Sequence, residues 1–181
     1  RSAGVARRVR PGSYDAFMST DSSTRLLFVC LGNICRSPLA EGIALHEVRA
    51  RGLHEQFVID SEGTGDWHVG EPPDPRARAV AELHGIPLNS RARRLEAGDA
   101  ASFDLILCMD SENLRVTREV CGSHPHIRRL LEFHPDSSRL DVPDPYFGAD
   151  DGFRHVFELC RDAVRALLDE VEAGSALRVD R

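Results

Sequence analysis

Beyond residue 24 the chain alternates short unbroken apolar runs with stretches whose apolar positions recur at helical spacing. Residues 26–30 form the first run, and continuous apolarity is what a parallel strand covered on both faces requires. Ser37-Pro38 then reads as a helix N-cap followed by proline at the first helical position. Ala40, Ile43, Ala44 and Val48 share one face of that helix before Gly52 ends it. Residues 57–59 predict a second strand, running into the turn-rich stretch Asp60-Ser61-Glu62-Gly63-Thr64-Gly65. After a turn at Pro72-Pro73-Asp74-Pro75, residues 77–83 predict a short helix closed by His84-Gly85. Residues 105–109 predict a third strand, 113–120 a helix and 127–131 an edge-like fourth strand. From Phe153 to Val171 the apolar residues keep a 3.6-residue period through one long final helix. Strands and helices in alternation build an open α/β parallel sheet wrapped by helices, and such sheets hold ligands beyond the carboxyl ends of their strands.

Residues 1–24 mix Arg, Gly, Ser, Pro and Thr without a period and read as a flexible leader, with Met18 as an alternative start. One domain over 25–174 and a tail over 175–181 complete the organisation. A chain of 181 residues, 41% hydrophobic and 29% charged, is an ordinary globular domain that needs neither metal nor disulfide framework to fold. Five irregularly spaced cysteines point to a reducing cytoplasm. No apolar run approaches the roughly 20 residues of a membrane span. The net charge of −6 argues against bulk nucleic-acid binding, so any bound anion must be held by local geometry. Arg supplies all 23 Lys-plus-Arg positions, which rules out Schiff bases and Walker-type phosphate loops. The eight His lack metal-ligand spacing; His68, His84 and His124 read as surface or capping residues.

The sharpest feature is Cys30-Leu31-Gly32-Asn33-Ile34-Cys35-Arg36-Ser37, between the first strand and the first helix. A Cys followed six positions later by Arg is expected about 0.6 times by chance at this composition. The added Gly, Asn, Cys and Ser, and the strand-to-helix context, set the stretch apart. A tight loop closing on a helix N-terminus turns successive N–H groups inward and forms a nest for a tetrahedral anion. Gly32 and Asn33 tolerate the left-handed backbone such a loop needs. Arg36 offers two phosphate oxygens a planar fork. The same N–H groups would favour a thiolate at Cys30, to which Ser37 can donate its hydroxyl. The alternative is a buried strand-end cysteine beside a surface arginine.

A thiolate that takes a phosphoryl group needs a partner to protonate the leaving oxygen, and Asp144-Pro145-Tyr146-Phe147-Gly148 offers an acid in a stiffened loop; taken alone, Asp-Pro is a turn signal. Trp67 forms the opposite cleft wall or else part of the core. Asp110, at the carboxyl end of strand three, should also face the cleft.

The loop C-L-G-N-I-C-R-S-P, followed in order by D-S-E-G-T-G-D-W, H-G-I, L-I-L-C-M-D and D-P-Y-F-G, resembles the low-molecular-weight protein tyrosine phosphatase family over about Arg25 to Gly174. The resemblance implies a four-stranded parallel sheet in a three-layer sandwich, no metal and no organic cofactor. It implies that Cys30 attacks phosphorus to form a phosphocysteine while Asp144 protonates the phenolate, and that Asp144 then activates water. Leu31, Gly32, Asn33, Ile34, Cys35 and Arg36 would bind the phosphate; Asn33, Ser37 and Ser61 would hold the loop, with Asp110 in support. Cys35 matches a second loop cysteine that in the family can form a reversible disulfide with the nucleophile. Ile34, Trp67, Tyr146 and Phe147 would line the substrate cleft, phosphotyrosine proteins would be the partners, and the chain would be a monomer with weak self-association.

Two positions depart from the family. Many members have a His where Ser90 precedes Arg91-Ala92-Arg93, and many have a second Tyr where Phe147 stands, which removes any phosphorylation switch there. A thiol-dependent arsenate reductase shares the Cys-x5-Arg loop, but Cys108 and Cys121 make a poor redox relay. A phosphoarginine phosphatase tends to carry Thr at the position of Ile34. A catalytically dead phosphopeptide binder would have no use for a nucleophile.

Overall fold

The computed structural model describes residues 23–136, 138–148 and 150–174. Four strands, β1 (Thr24–Cys30), β2 (Phe57–Gly63), β3 (Leu105–Cys108) and β4 (Ile127–Arg129), form one sheet in the order β2-β1-β3-β4. All three pairings are parallel, with Leu26 opposite Ile59 on one side and Leu105 on the other. The helices are α1 (Arg36–Ala50), α2 (Pro75–Glu82), α3 (Asp99–Ser102), α4 (Ser111–Cys121) and α5 (Asp150–Glu172).

Alternation along β1 divides the core. Leu26, Phe28 and Cys30 face the layer containing α1, α2 and α5, while Leu27 and Val29 pack with Phe103, Ile106, Cys121 and Ile127 beneath α3 and α4. The central strand is thus apolar on both faces, as its unbroken run predicts. Every residue from Arg36 to Ala44 is buried, because the first half of α1 is covered by the sheet and by α5.

Several elements differ from the sequence reading. Ser37 is not the N-cap of α1: the helix opens at Arg36 with Cys35 in the cap position, and the Ser37 hydroxyl is used inside the site. β2 continues through the polar residues Asp60 to Gly63, because pairing with β1 carries it on to the loop. The predicted strand over 127–131 stops at Arg129, where Leu130–Phe133 turn into a 3-10 helix that buries Leu130, Leu131 and Phe133. α3 is one turn long and left no periodic signal. Thr24, assigned to the leader, begins β1; residues 1–22 and the predicted tail lie outside the described residues.

Candidate active site

β1 is flanked by β2 and β3, whose following segments leave in different directions, so the β1-α1 loop opens into the crevice where parallel sheets hold ligands. Asn33 has φ 53°, the only positive value outside glycine among the described residues. Its side chain holds that conformation: Nδ2 donates to Ser37 Oγ at 2.9 Å and to Ser61 Oγ at 2.8 Å, and Oδ1 accepts from the Arg93 N–H at 2.9 Å. Neighbouring loops tie down the carbonyls, with Thr64, Gly65 and Asp74 N–H donating to Cys30, Leu31 and Ile34 at 2.9, 2.8 and 2.8 Å. Loop carbonyls held in this way suit an anion nest, whose N–H groups must be kept for the ligand. Gly63 is needed beside it, since a Cβ there would lie 2.9 Å from the Leu31 carbonyl oxygen.

Cys30 Sγ accepts from the Asn33 N–H at 3.3 Å and from Ser37 Oγ at 3.1 Å. Arg36 is only 3% exposed. Its Nη1 donates to Asp110 at 2.5 Å and to the Val142 carbonyl at 3.1 Å, and its Nη2 donates to Asp144 Oδ2 at 2.8 Å. Burial works against that charge, but Cys30, Asp144 and Asp110 outweigh it and raise Arg36 above its ordinary value. Asp144 Oδ1 accepts from the Tyr146 N–H at 3.0 Å, which fixes the acid in its turn.

A cavity of about 170 Å³ opens above the loop, lined by Cys30, Ile34, Arg36, Trp67, Asp144 and Tyr146 among others. Leu31, Gly32, Cys35 and Phe147 line it too. Asp110 does not: it grips Arg36 from behind while its other oxygen caps α4 through the Asn113 N–H at 2.6 Å. Ser61 likewise acts through Asn33.

His68, read from the sequence as a surface or capping residue, lines the cleft. Its Nδ1 meets Glu71 at 2.7 Å, and its Cδ2 edge lies over Gly32, where a Cβ would come within 3.0 Å. Sequence reasoning also missed Asp74 and Arg76. The Asp74 N–H holds the Ile34 carbonyl while Arg76 Nη2 reaches the Tyr146 carbonyl at 3.1 Å, so the start of α2 braces the phosphate loop against the acid loop. The Asp-Pro step opening α2 was the available signal. Ser90 lies near Glu41, favouring its ionised form, and Glu41 Oε2 accepts from Ser61 Oγ at 2.5 Å.

Fold and site together define a thiol-centred anion site at the carboxyl end of a doubly covered parallel sheet. The chain belongs to the low molecular weight phosphotyrosine protein phosphatase family, whose pattern matches residues 25–177. It is 39% identical to a pig low molecular weight phosphotyrosine protein phosphatase over 157 residues, covering 85% of this chain and 99% of the relative. A protein tyrosine phosphatase from Entamoeba histolytica, crystallised with Hepes in its active site, superposes with a TM-score of 0.81 at 36% identity, covering 84% of this chain and 99% of that one. A Drosophila arginine phosphatase superposes with a TM-score of 0.74 at 30% identity, covering 86% and 99%.

Proposed function

We propose that this chain is a cytoplasmic protein tyrosine phosphatase acting through a phosphocysteine. The observation that carries the reading is one cleft in which a cysteine sulfur with two donors on it shares an arginine-lined floor with a half-exposed aspartate. The substrate phosphate takes the Arg36 fork, displacing Asp144 from Nη2. Cys30 sulfur attacks phosphorus and forms the S–P bond; the P–O bond to the phenol breaks, and Asp144 gives its proton to the departing oxygen. Water then attacks phosphorus, Asp144 takes its proton, and the S–P bond breaks to return the Cys30 thiolate and free phosphate. The Asn33 N–H and Ser37 hydroxyl stabilise the sulfur anion in both steps. No cofactor enters this scheme.

Among the described residues no helix is long and apolar enough to cross a membrane. The substrates are phosphotyrosine proteins, because Ile34 presents an apolar side chain to the ring and offers no hydrogen-bond partner to the guanidinium of phosphoarginine. Turnover of phosphotyrosine, phosphoserine and phosphoarginine peptides, and of arsenate, tests this reading. Phosphotyrosine should lead, and Ile34→Thr should move the kcat/KM ratio towards phosphoarginine. A parent that prefers phosphoarginine or reduces arsenate would sink it.

Cys35 supports redox protection of the same site. Burial first, then the charges of Asp74, Cys30 and Asp144, push its thiol up to about 12, so it stays protonated and does not compete with Cys30 as nucleophile. Peroxide oxidises Cys30 to a sulfenic acid; the Cys35 thiol then forms the S–S bond with loss of water, and a dithiol reverses it. Peroxide-treated Cys35→Ala should recover less activity than the parent on dithiol addition; equal recovery would remove the protective role.

A further inference from the structure

Behind the phosphate loop, on the far side of α1, lies a second cavity of about 250 Å³. That is room for about eight waters at their liquid volume of about 30 Å³ each. Glu41, Leu45, His46 and Arg49 of α1 form one wall, and Leu88 and Ser90 lie on the other. Leu88 is seated against Gly42, where a Cβ would come within 2.4 Å of it.

Glu41 is 9% exposed. Its carboxylate accepts from the Ser61 hydroxyl and lies near that of Ser90, yet among the described residues no Arg or His lies within ion-pairing distance of it. Asp60 and Arg93 act on it only at longer range, and His46 and Arg49 line the cavity without reaching it. A buried carboxylate lacking a counter-ion is costly, and this one borders a cavity large enough to admit a cation. Glu41 is also wired to the site by direct contacts. Ser61 Oγ donates to Glu41 and accepts from Asn33 Nδ2, Asn33 Nδ2 also donates to Ser37 Oγ, and Ser37 Oγ donates to Cys30 Sγ.

We propose that this cavity is an activator site for a small planar nitrogenous cation, whose N–H groups pair with Glu41 and thereby fix the Ser61-Asn33 support of the phosphate loop. A cation at Glu41 keeps the carboxylate ionised and its serine partners oriented as donors. Asn33 is then held in its left-handed conformation with less freedom, and the loop N–H groups stay aimed at the anion.

The probe is imidazole, on the acid side of its own titration so that the cation dominates, added to the full chain. Tetramethylammonium, which has no N–H, is the comparison. Imidazole should shift the amide resonances of Glu41, Gly42 and Ser90 saturably and raise the rate on an aryl phosphate about fivefold, the low end of ordinary coupling between sites. Leu45→Trp, which fills the cavity while leaving the Glu41 carboxylate in the chain, should abolish both responses, each measured against the variant's own baseline. Glu41→Gln should weaken binding about tenfold. Shifts confined to Gly32 and Ile34, equal binding of tetramethylammonium, or responses unaltered in Leu45→Trp would each overturn the site. Shifts at Glu41 with no rate change would overturn the coupling. The resonance arm needs no turnover, so it stands apart from the phosphatase assignment.

Discussion

The floor and the rim of the cleft are built in opposite ways. On the floor, Asn33, Arg36, Ser37 and Ser61 are buried, and their polar side chains are engaged by neighbours. On the rim, Trp67 is 69% and Phe147 96% exposed, and Tyr146 meets Phe147 edge to face at 5.0 Å. A network in which each group holds the next has one arrangement and is suited to a transition state. Exposed aromatic rings give contact area without a fixed partner and are suited to varied flanking residues. On the proposed function, chemistry belongs to the floor and contact with the substrate protein to the rim.

Cys30→Ser is the severest attack on the floor. Turnover should fall below detection while phosphate binding persists, because the anion is held by backbone and Arg36. Residual turnover of phosphotyrosine would move the nucleophile elsewhere. Asp144→Ala should cost about 10²–10⁴ in kcat, most with poor leaving groups, as general acid catalysis requires. A loss independent of leaving-group acidity would show that Asp144 acts through its ion pair with Arg36 rather than as the proton donor.

Rim substitutions should be milder. Phe147→Ala should raise KM for phosphotyrosine peptides a few-fold, in the range of about 1 kcal/mol for one exposed aromatic contact, with a smaller effect on a bare aryl phosphate. Equal effects on both substrates would place Phe147 in the chemistry and blur the division.

The smallest effect tests the floor's support. Burial, opposed by the hydroxyls of Ser61 and Ser90, holds the Glu41 carboxyl above the ordinary range. A carboxyl raised in the folded state favours folding below its unfolded value, and that contribution is lost as pH rises through the folded value. Glu41→Gln does not titrate. The Tm of the variant minus that of the parent should therefore increase from about pH 4 towards neutrality. A flat difference would show that Glu41 has its charge compensated.

The same division decides what the sequence discloses. Apart from Ser61, the floor residues sit within eight consecutive positions, so Cys30, Asn33, Arg36 and Ser37 could be read from one loop and its strand-to-helix context. The strands and α5 were legible because burial leaves an apolar period. Glu41, Asp74, Arg76 and His68 were not. Each is a polar residue whose role comes from a partner far along the chain: Ser61 for Glu41, Tyr146 for Arg76 and the cleft itself for His68. Asp110 and Ser61 were reached through chain position and resemblance, and the structure shows that they work through Arg36 and Asn33.

The bond between Arg36 and Asp144 joins positions 108 residues apart. At a synthesis rate of about 5–20 residues per second, the loop leaves the ribosome roughly 5–20 s before its acid does. For that interval the nascent chain carries the reactive thiol without the partner that makes it productive, and without α5 to cover α1. On the proposed mechanism the chain is therefore silent until its acid has emerged. A ribosome-stalled chain ending short of Asp144 should react with a thiol reagent at Cys30 and hydrolyse no phosphotyrosine; hydrolysis by such a chain would show that the acid is dispensable.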